Sequence, residues 1–312
     1  MKTALLFSGQ GSQYVGMMRD LAGTYEAARR RIAQADEILG YSLSTICFEG
    51  PAETLKETRY TQPALFVHEA VLVDLLGANL SFDAVAGHSL GEYSALYAAS
   101  VLSFEDALRL VALRGELMFG AGEERPGTML AIIGLEDAKV EELCRQISGE
   151  GLVAVPANYN CPGQLVVSGS RDLLRSHMDS FKSAGARMVM ELPVSGAFHS
   201  PLMEPAKEKL SERIRETVFH DATKVIYSNV SATPMTGSDE IRQALIQQLV
   251  SPVRWTQIMN AMNEAGISRY IEIGPGKVLQ GLVKRTIRDA SISGIDTASD
   301  LENYFSTANA TS

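Results

Sequence analysis

The stretch Val85-Ala86-Gly87-His88-Ser89-Leu90-Gly91-Glu92-Tyr93 constrains this chain more than any other. It holds a G-x-S-x-G pattern between two different periodicities. Phe82–Ala86 reads as a short buried strand, and Glu92–Ala99, rich in Ala and Leu, as a helix. A serine at a sharp strand-to-helix turn is pushed outward, and glycines on both sides keep neighbouring side chains out of the bend. The helix start beside it offers free backbone N–H groups and a positive dipole end to a developing oxyanion. G-x-S-x-G alone fits a structural serine in a Gly-rich turn equally well. The strand before it and the helix after it favour a nucleophile at Ser89.

Upstream, Thr3–Phe7 reads as a strand running into the polar turn Ser8-Gly9-Gln10-Gly11-Ser12-Gln13. An oxyanion hole needs two converging N–H donors, one from the residue after the nucleophile and one from a loop after another strand. Leu90 and Gln10 fill those two places. Tyr14 to Leu39 is expected to be helical, with Arg29-Arg30-Arg31 solvated, and Gly50-Pro51 is a break. Tyr60-Thr61-Gln62-Pro63 starts another helix, with Pro63 near its first turn. Its apolar run Ala64–Leu76 is buried, and Gln62 sits at its mouth, where it can face a cleft. Ser103-Phe104-Glu105-Asp106 is a capping signature for a helix Phe104–Phe119. Arg114 lies within it, and on position alone it is a solvent-facing residue.

The next stretch has its own rhythm. Thr128–Ile133, Glu136–Ile147, Leu152–Asn158, Gln164–Ser168, Arg171–Ala184 and Arg187–Glu191 read as β-α-β-β-α-β, the split βαβ pattern of a ferredoxin-like unit. The expected organisation is therefore α/β, with a small subdomain at 127–192 inserted into a large one formed by 1–126 and 193–312. After the insert come a helix Leu202–Thr217, a strand Val225–Asn229, helices Asp239–Leu249 and from Ser251 through Asn263, a strand Tyr270–Ile273 and a helix Val278–Thr286. Gly274-Pro275-Gly276-Lys277 could cradle a phosphate at a helix start, but it lacks Walker spacing. Ser299–Ser312 is polar and expected to be frayed.

A serine hydroxyl needs a base within hydrogen-bond reach. Of five histidines, His88 adjoins the serine and should point away, His68 and His177 fall inside helices, and His220 closes one. His199 lies in the irregular segment Pro193–Pro201, where the chain leaves the insert, and loops on a rigid scaffold commonly carry catalytic groups. No Asp or Glu after Ser89 stands out as the third member of a triad. A backbone carbonyl can fix the imidazole tautomer instead.

Composition sets the outer limits. A net charge of −9, from 28 basic and 37 acidic residues, argues against nucleic-acid binding through overall charge. No apolar run approaches the ~18 residues of a membrane span, and Met1–Gly9 is too short in its apolar part for a signal peptide. The three cysteines, Cys47, Cys144 and Cys161, have no metal-like spacing. They are expected to be reduced and structural in a cytoplasmic protein with no metal and no cofactor.

Seven stretches together carry a resemblance. Gly9-Gln10-Gly11-Ser12-Gln13, Thr61-Gln62-Pro63-Ala64, Gly87–Tyr93, Arg114, Asn160 with Pro162-Gly163-Gln164, Phe198-His199 and Gly274-Pro275-Gly276 occur in the order seen in malonyl-CoA:acyl-carrier-protein transacylases. The chain resembles that family over nearly its whole length. The resemblance implies a hydrolase-like core with a parallel sheet and a cleft against the ferredoxin-like insert. It implies Ser89 as acylated nucleophile, His199 as general base and acid, and the Gln10 and Leu90 N–H groups as oxyanion hole. Arg114 would hold the malonyl carboxylate, the main-chain carbonyl of Gln248 would orient His199, and Gln62, Asn160 and Phe198 would line the substrate site. Phe198-His199 resembles the malonyl-selective pattern rather than the Ser-His form of methylmalonyl-selective relatives. Ser8 stands where many members have proline, and Gly196-Ala197 where bulkier residues are common.

The implied partners are malonyl-CoA and an acyl carrier protein, serving fatty acid synthesis, with the enzyme working as a monomer. Carrier proteins of this kind are usually acidic, so docking needs a local basic strip. Lys277, Lys284, Arg285 and Arg288 have roughly helical spacing and Arg187 can join them, although a solvated helix face explains the same charges. The alternatives are a discrete acyltransferase of a polyketide synthase, with the same chemistry, and a serine thioesterase or hydrolase on the same elbow.

Overall fold

The computed structural model describes residues 1–309. Alternation along the first strand decides the architecture. In β1 (Lys2–Phe7), Leu5 and Phe7 pack into one core and Ala4 and Leu6 into another, all four buried. A strand apolar on both faces belongs in the middle of a parallel sheet covered by helices on both sides. The covering helices α1 (Arg19–Thr24), α2 (Glu26–Leu39), α3 (Leu43–Glu49), α4 (Ala52–Lys56) and α5 (Thr58–Leu76) precede β2 (Ala84–Gly87). After β2 come α6 (Gly91–Ala98) and α7 (Phe104–Glu124). The chain then builds a second sheet from β3 (Gly127–Ile133), α8 (Asp137–Ile147), β4 (Ala154–Cys161), β5 (Gln164–Ser170), α9 (Arg171–Ser176), α10 (Met178–Ser183) and β6 (Met188–Glu191). It returns through α11 (Glu204–Glu216), β7 (Val225–Tyr227), β8 (Pro234–Met235), α12 (Ser238–Gln248) and α13 (Trp255–Glu264). The last elements are β9 (Ile267–Ile273), α14 (Val278–Thr286), β10 (Ser291–Ile295) and α15 (Ala298–Asn309).

The first sheet runs β10-β9-β1-β2-β7-β8, parallel except for the last pair. Phe7 is opposite Gly87 on one side and Ile273 on the other, so the loops after β1, β2 and β9 leave the same edge. Ligands of open parallel sheets bind outside the carboxyl ends of the strands. The second sheet is antiparallel, in the order β4-β5-β3-β6, with its own core including Leu130, Ile132, Leu165, Val167 and Phe181. That order completes the βαββαβ pattern read from the sequence. It is tied to the first sheet's side of the molecule where the Tyr159 N–H donates to Val253 O (2.9 Å) and the Val253 N–H to Ala157 O (2.8 Å).

Several element limits differ from the sequence reading. The expected helix from Tyr14 starts at Arg19 and breaks at Tyr25, which is extended (φ −115°, ψ 122°). Gly23 and Thr24, poor helix formers, precede the break. Pro63 lies inside α5, which starts at Thr58, so the proline leaves the Arg59 carbonyl without its helical partner. Burial of most of the helix holds it together regardless. The expected helix Arg171–Ala184 divides at His177, whose ring Nδ1 hydrogen-bonds the Leu173 carbonyl (2.9 Å) and competes with the helical ladder. The polar tail is helical through Asn309. Asp300 accepts from the Thr297 N–H (2.9 Å) and donates its own N–H to Thr297 Oγ1 (3.2 Å), a reciprocal cap. Residues 310–312 of that tail lie outside the described residues. No helix among the described residues is long and apolar enough to cross a membrane.

The elbow is tightly packed. A Cβ on Gly87 would sit 1.8 Å from the Gly91 carbonyl carbon, and one on Gly91 would sit 2.2 Å from Phe7 O. Backbone cannot yield as a flexible side chain does. Gly87→Ala is expected to destabilise the protein by about 3 kcal/mol or to prevent its accumulation. An unchanged denaturant midpoint would contradict this packing.

Candidate active site

Ser89 follows β2 with a φ of 54°, a left-handed conformation that non-glycine residues avoid. Two amide side chains hold the turn in that shape. Asn229, just past β7, accepts the Ser89 N–H at Oδ1 (2.7 Å) and donates from Nδ2 to Gly87 O (2.7 Å). Gln248, at the end of α12, donates from Nε2 to Ser89 O (2.8 Å). The turn directs the hydroxyl into a cavity of about 110 Å³.

His199, also left-handed (φ 57°), comes from the segment that links β6 to α11. The structure brings it to Ser89: His199 Nε2 lies 2.8 Å from Ser89 Oγ. Its Nδ1–H is shared between the carbonyls of Gln248 (3.0 Å) and Ser251 (3.1 Å). The first is the carbonyl that the family resemblance implies, and the second went unseen in the sequence. With Nδ1 protonated, Nε2 is a free base facing a hydroxyl. Burial, then the Arg114 cation, lower the imidazole from 6.5 to about 3, against the pull of the two carbonyls.

Arg114 is not on the surface, as helix position alone suggested; it is 1% exposed. Gly115 explains how it gets there. A Cβ at 115 would meet Arg59 Cα at 3.0 Å, so the glycine lets α7 close onto α5. Arg114 then reaches Gln62 Oε1 (2.8 Å), Ser89 Oγ (2.9 Å) and Gln248 Oε1 (3.0 Å), over the ring of Tyr93. These acceptors are two amides and a hydroxyl, none of them an anion, and Arg114 Nε has no hydrogen-bond partner. An isolated buried guanidinium is expensive unless an anion joins it.

The other residues singled out in the sequence surround this centre. Gln10, Leu90, Gln62 and Phe198 line the same cavity, with Met118, Met129, Leu192 and Val194 as apolar wall. Neither the Gln10 nor the Leu90 N–H donates to another backbone carbonyl among the described residues. Asn160 is set back: its Oδ1 accepts from His88 Nε2 (2.9 Å), and His88 packs on Trp255. Asn160 lines a neighbouring cavity of about 280 Å³ with Gln164, Val278, Leu279 and Leu282. Gln10, His88, Asn158 and Leu192 border both spaces, so the two adjoin.

Lys277, Lys284, Arg285, Arg288 and Arg187 are all exposed. Arg285 hydrogen-bonds Gln164, Gln164 pairs with Ile133, and Ile133 O accepts the Arg187 N–H, which puts Arg187 on the same rim. The Gly274–Lys277 turn is unsuited to a phosphate, since the Gly276 N–H faces the Asp296 carboxylate (3.4 Å). No group of His, Cys, Asp and Glu able to hold a metal occurs among the described residues.

Sequence reasoning missed Asn229, Ser251 and Glu92. Glu92, 4% exposed, accepts from Gln248 Nε2 (2.6 Å) and from the Asn229 N–H (3.2 Å). Burial pushes its carboxyl up to about 7, while the Gln248 and Asn229 bonds and Arg114 pull it down. Asn229 had one signal, its place at the carboxyl end of a strand beside β2.

Fold and site together define a class: an α/β enzyme that presents a serine on a strand-to-helix elbow to a histidine and a buried arginine. Residues 4–304 match the family described as acyl transferase domain. The chain is 42% identical over 303 residues, 97% of its length and 98% of the relative's, to the malonyl CoA-acyl carrier protein transacylase of Staphylococcus aureus strain MSSA476. It superposes on the acyl carrier protein S-malonyltransferase of Vibrio cholerae with a TM-score of 0.92 at 40% identity, covering 97% of this chain and 99% of that one. A malonyl-transacylase solved in complex with its type II PKS acyl-carrier protein superposes with a TM-score of 0.94 at 36% identity, covering 98% and 100%. The chain belongs to the acyl transferase family, among the malonyl CoA-acyl carrier protein transacylases.

The depressed His199 has a consequence for pH. Its neutral form is kept far below 6.5, so the stability it contributes is complete above 6.5 and falls as pH drops from there towards 3. In an NMR titration, His199 is expected to remain neutral at pH 5.5. A protonation midpoint near 6.5 would contradict the burial and charge described here.

Proposed function

We propose that this enzyme transfers the malonyl group of malonyl-CoA to the phosphopantetheine thiol of an acyl carrier protein, for fatty acid synthesis, through a malonyl ester on Ser89. The observation that carries the reading is a buried guanidinium 2.9 Å from the Ser89 hydroxyl with no anion bonded to it. A three-carbon diacid esterified at Ser89 supplies that anion at short reach, and a planar arginine fork grips a carboxylate through two hydrogen bonds. The 110 Å³ cavity suits a short acyl group rather than a long chain.

Ser89 Oγ attacks the thioester carbon as His199 Nε2 takes its proton. The carbonyl oxygen gathers charge against the Gln10 and Leu90 N–H groups. The tetrahedral intermediate collapses, the proton on His199 passes to the sulfur, and CoA leaves as the thiol. The carrier's thiol then loses its proton to His199 and attacks the ester, and Ser89 recovers its proton as the malonyl group departs: ping-pong covalent catalysis. The adjoining 280 Å³ cavity, with Asn160 and Gln164 opposite Val278 and Leu282, offers polar and apolar walls to a pantetheine arm. Arg187, Lys277, Lys284, Arg285 and Arg288 at its rim fit an acidic carrier. One chain holds every residue invoked, so a monomer suffices, and residues 127–192 act as a small subdomain closing the cleft. The three cysteines, free and buried, suit the reducing cytoplasm. A second reading, supply of a polyketide carrier protein, rests on the likeness to the transacylase bound to a type II PKS carrier, and it changes only the partner.

Intact-protein mass spectrometry tests the reaction. After malonyl-CoA the protein should carry one malonyl group, lost on adding carrier protein and absent from Ser89→Ala. Arg114→Ala should lose malonyl loading by about 3–5 kcal/mol in rate, as for removal of a buried charge partner, yet still accept acetyl. Equal loss for both acyl groups would count against a carboxylate clamp. For docking, charge reversal at Lys284 and Arg285 should raise the apparent Michaelis constant for the carrier and leave that for malonyl-CoA alone. An unchanged carrier constant removes this strip from the interface.

A further inference from the structure

We infer that Glu92 is a positioning residue for malonyl selection: it fixes which end of the Gln248 side-chain amide faces Arg114. The inference rests on the transferase reading above. Glu92 lies in the first turn of α6, three residues after Ser89, and is almost wholly buried. An ionised carboxylate only accepts hydrogen bonds, whereas an amide side chain has a donor end and an acceptor end. Glu92 Oε2 takes the Gln248 Nε2–H at 2.6 Å, so the amide must turn its oxygen the other way. That oxygen meets Arg114 Nη2 at 3.0 Å, and the second N–H of the same amide meets Ser89 O at 2.8 Å. Turned over, the amide would set its NH2 against the guanidinium, donor against donor.

The second oxygen does related work. Glu92 Oε1 accepts the main-chain N–H of Asn229 (3.2 Å), and the Asn229 side chain clamps the Ser89 turn from its other side. Gln248 in turn presents its own main-chain carbonyl to His199 Nδ1. The acid absent from the histidine's side of the site is thus present one amide away. There it orders the arginine, the turn and, through α12, the carbonyl behind the imidazole, while leaving the guanidinium free for a ligand carboxylate.

The test compares malonyl with acetyl transfer at pH 8, above the value of about 7 to which burial pushes the Glu92 carboxyl. Glu92→Gln keeps the shape but can set an NH2 against the Gln248 NH2. It is expected to lower kcat/KM for malonyl-CoA about 10- to 100-fold, the worth of one hydrogen bond to a charged group. Acetyl transfer should fall much less, so the malonyl-to-acetyl ratio drops about tenfold or more. Gln248→Met, which removes the amide but keeps the main-chain carbonyl, should lower the ratio similarly, and the double variant should lower it no further. A wild-type ratio in Glu92→Gln, or additive losses in the double variant, overturns the inference. If Glu92→Gln does not fold, Gln248→Met decides alone, an unchanged ratio overturning it. Wild-type enzyme that never takes malonyl onto Ser89 would sink the transferase reading itself, whereas normal loading with an unchanged ratio sinks only the role of Glu92.

Discussion

A positive charge buried without a bonded anion is the constraint around which this molecule is arranged. Taking a guanidinium out of water costs several kcal/mol even after relaxation. Arg114 recovers part of that from Gln62, Gln248, the Ser89 hydroxyl and the Tyr93 ring, all of them neutral groups. The arrangement leaves the protein prepared for a small acid. It also explains the rigidity of the surroundings: α7 lies close on α5 at Gly115, and both amides that touch the guanidinium are themselves held, Gln62 against Met118 and Gln248 against Glu92.

The same cation shapes the base. A histidine next to a guanidinium and out of water stays neutral, which is the form that removes a proton from serine. A carboxylate on Nδ1 would raise the imidazole and offer Arg114 a resident anion in competition with substrate. Two carbonyl dipoles, from Gln248 and Ser251, fix the tautomer while raising the imidazole too little to offset burial and Arg114, and they place no resident anion in the site. Glu92 stays bonded to amides, and the Gln248 side chain stands between it and Arg114.

What could be read from the sequence follows how local each cause is. The elbow was legible because strand, glycines and helix are contiguous, and its crowding around Gly87 and Gly91 is the physical content of the motif. The βαββαβ order was legible for the same reason, each element carrying its own period. The burial of Arg114 was not, because it depends on Gly115 allowing two helices together across more than fifty residues of chain. The roles of Arg114 and the Gln248 carbonyl came from family resemblance, since no spacing rule brings residue 248 to residue 199. Asn229 and Ser251 escaped because an amide and a main-chain carbonyl carry no motif of their own, and the role of Glu92, although it stands in the elbow stretch, because no spacing rule brings residue 248 to it. Of the helix limits that differ, the break at Tyr25 follows the poor helix formers Gly23 and Thr24, whereas at Pro63 and His177 burial or one side-chain hydrogen bond outweighs local propensity.

The most direct measurement is a crystal structure of the enzyme acylated by malonyl-CoA. The ester should sit on Ser89 Oγ with its carbonyl oxygen against the Gln10 and Leu90 N–H groups. Its terminal carboxylate should accept two hydrogen bonds from Arg114, whose Nη2 has left the serine oxygen. A malonyl chain whose carboxylate points into solvent, with Arg114 bound only to its amide partners, would contradict the charge-matching at the centre of this site.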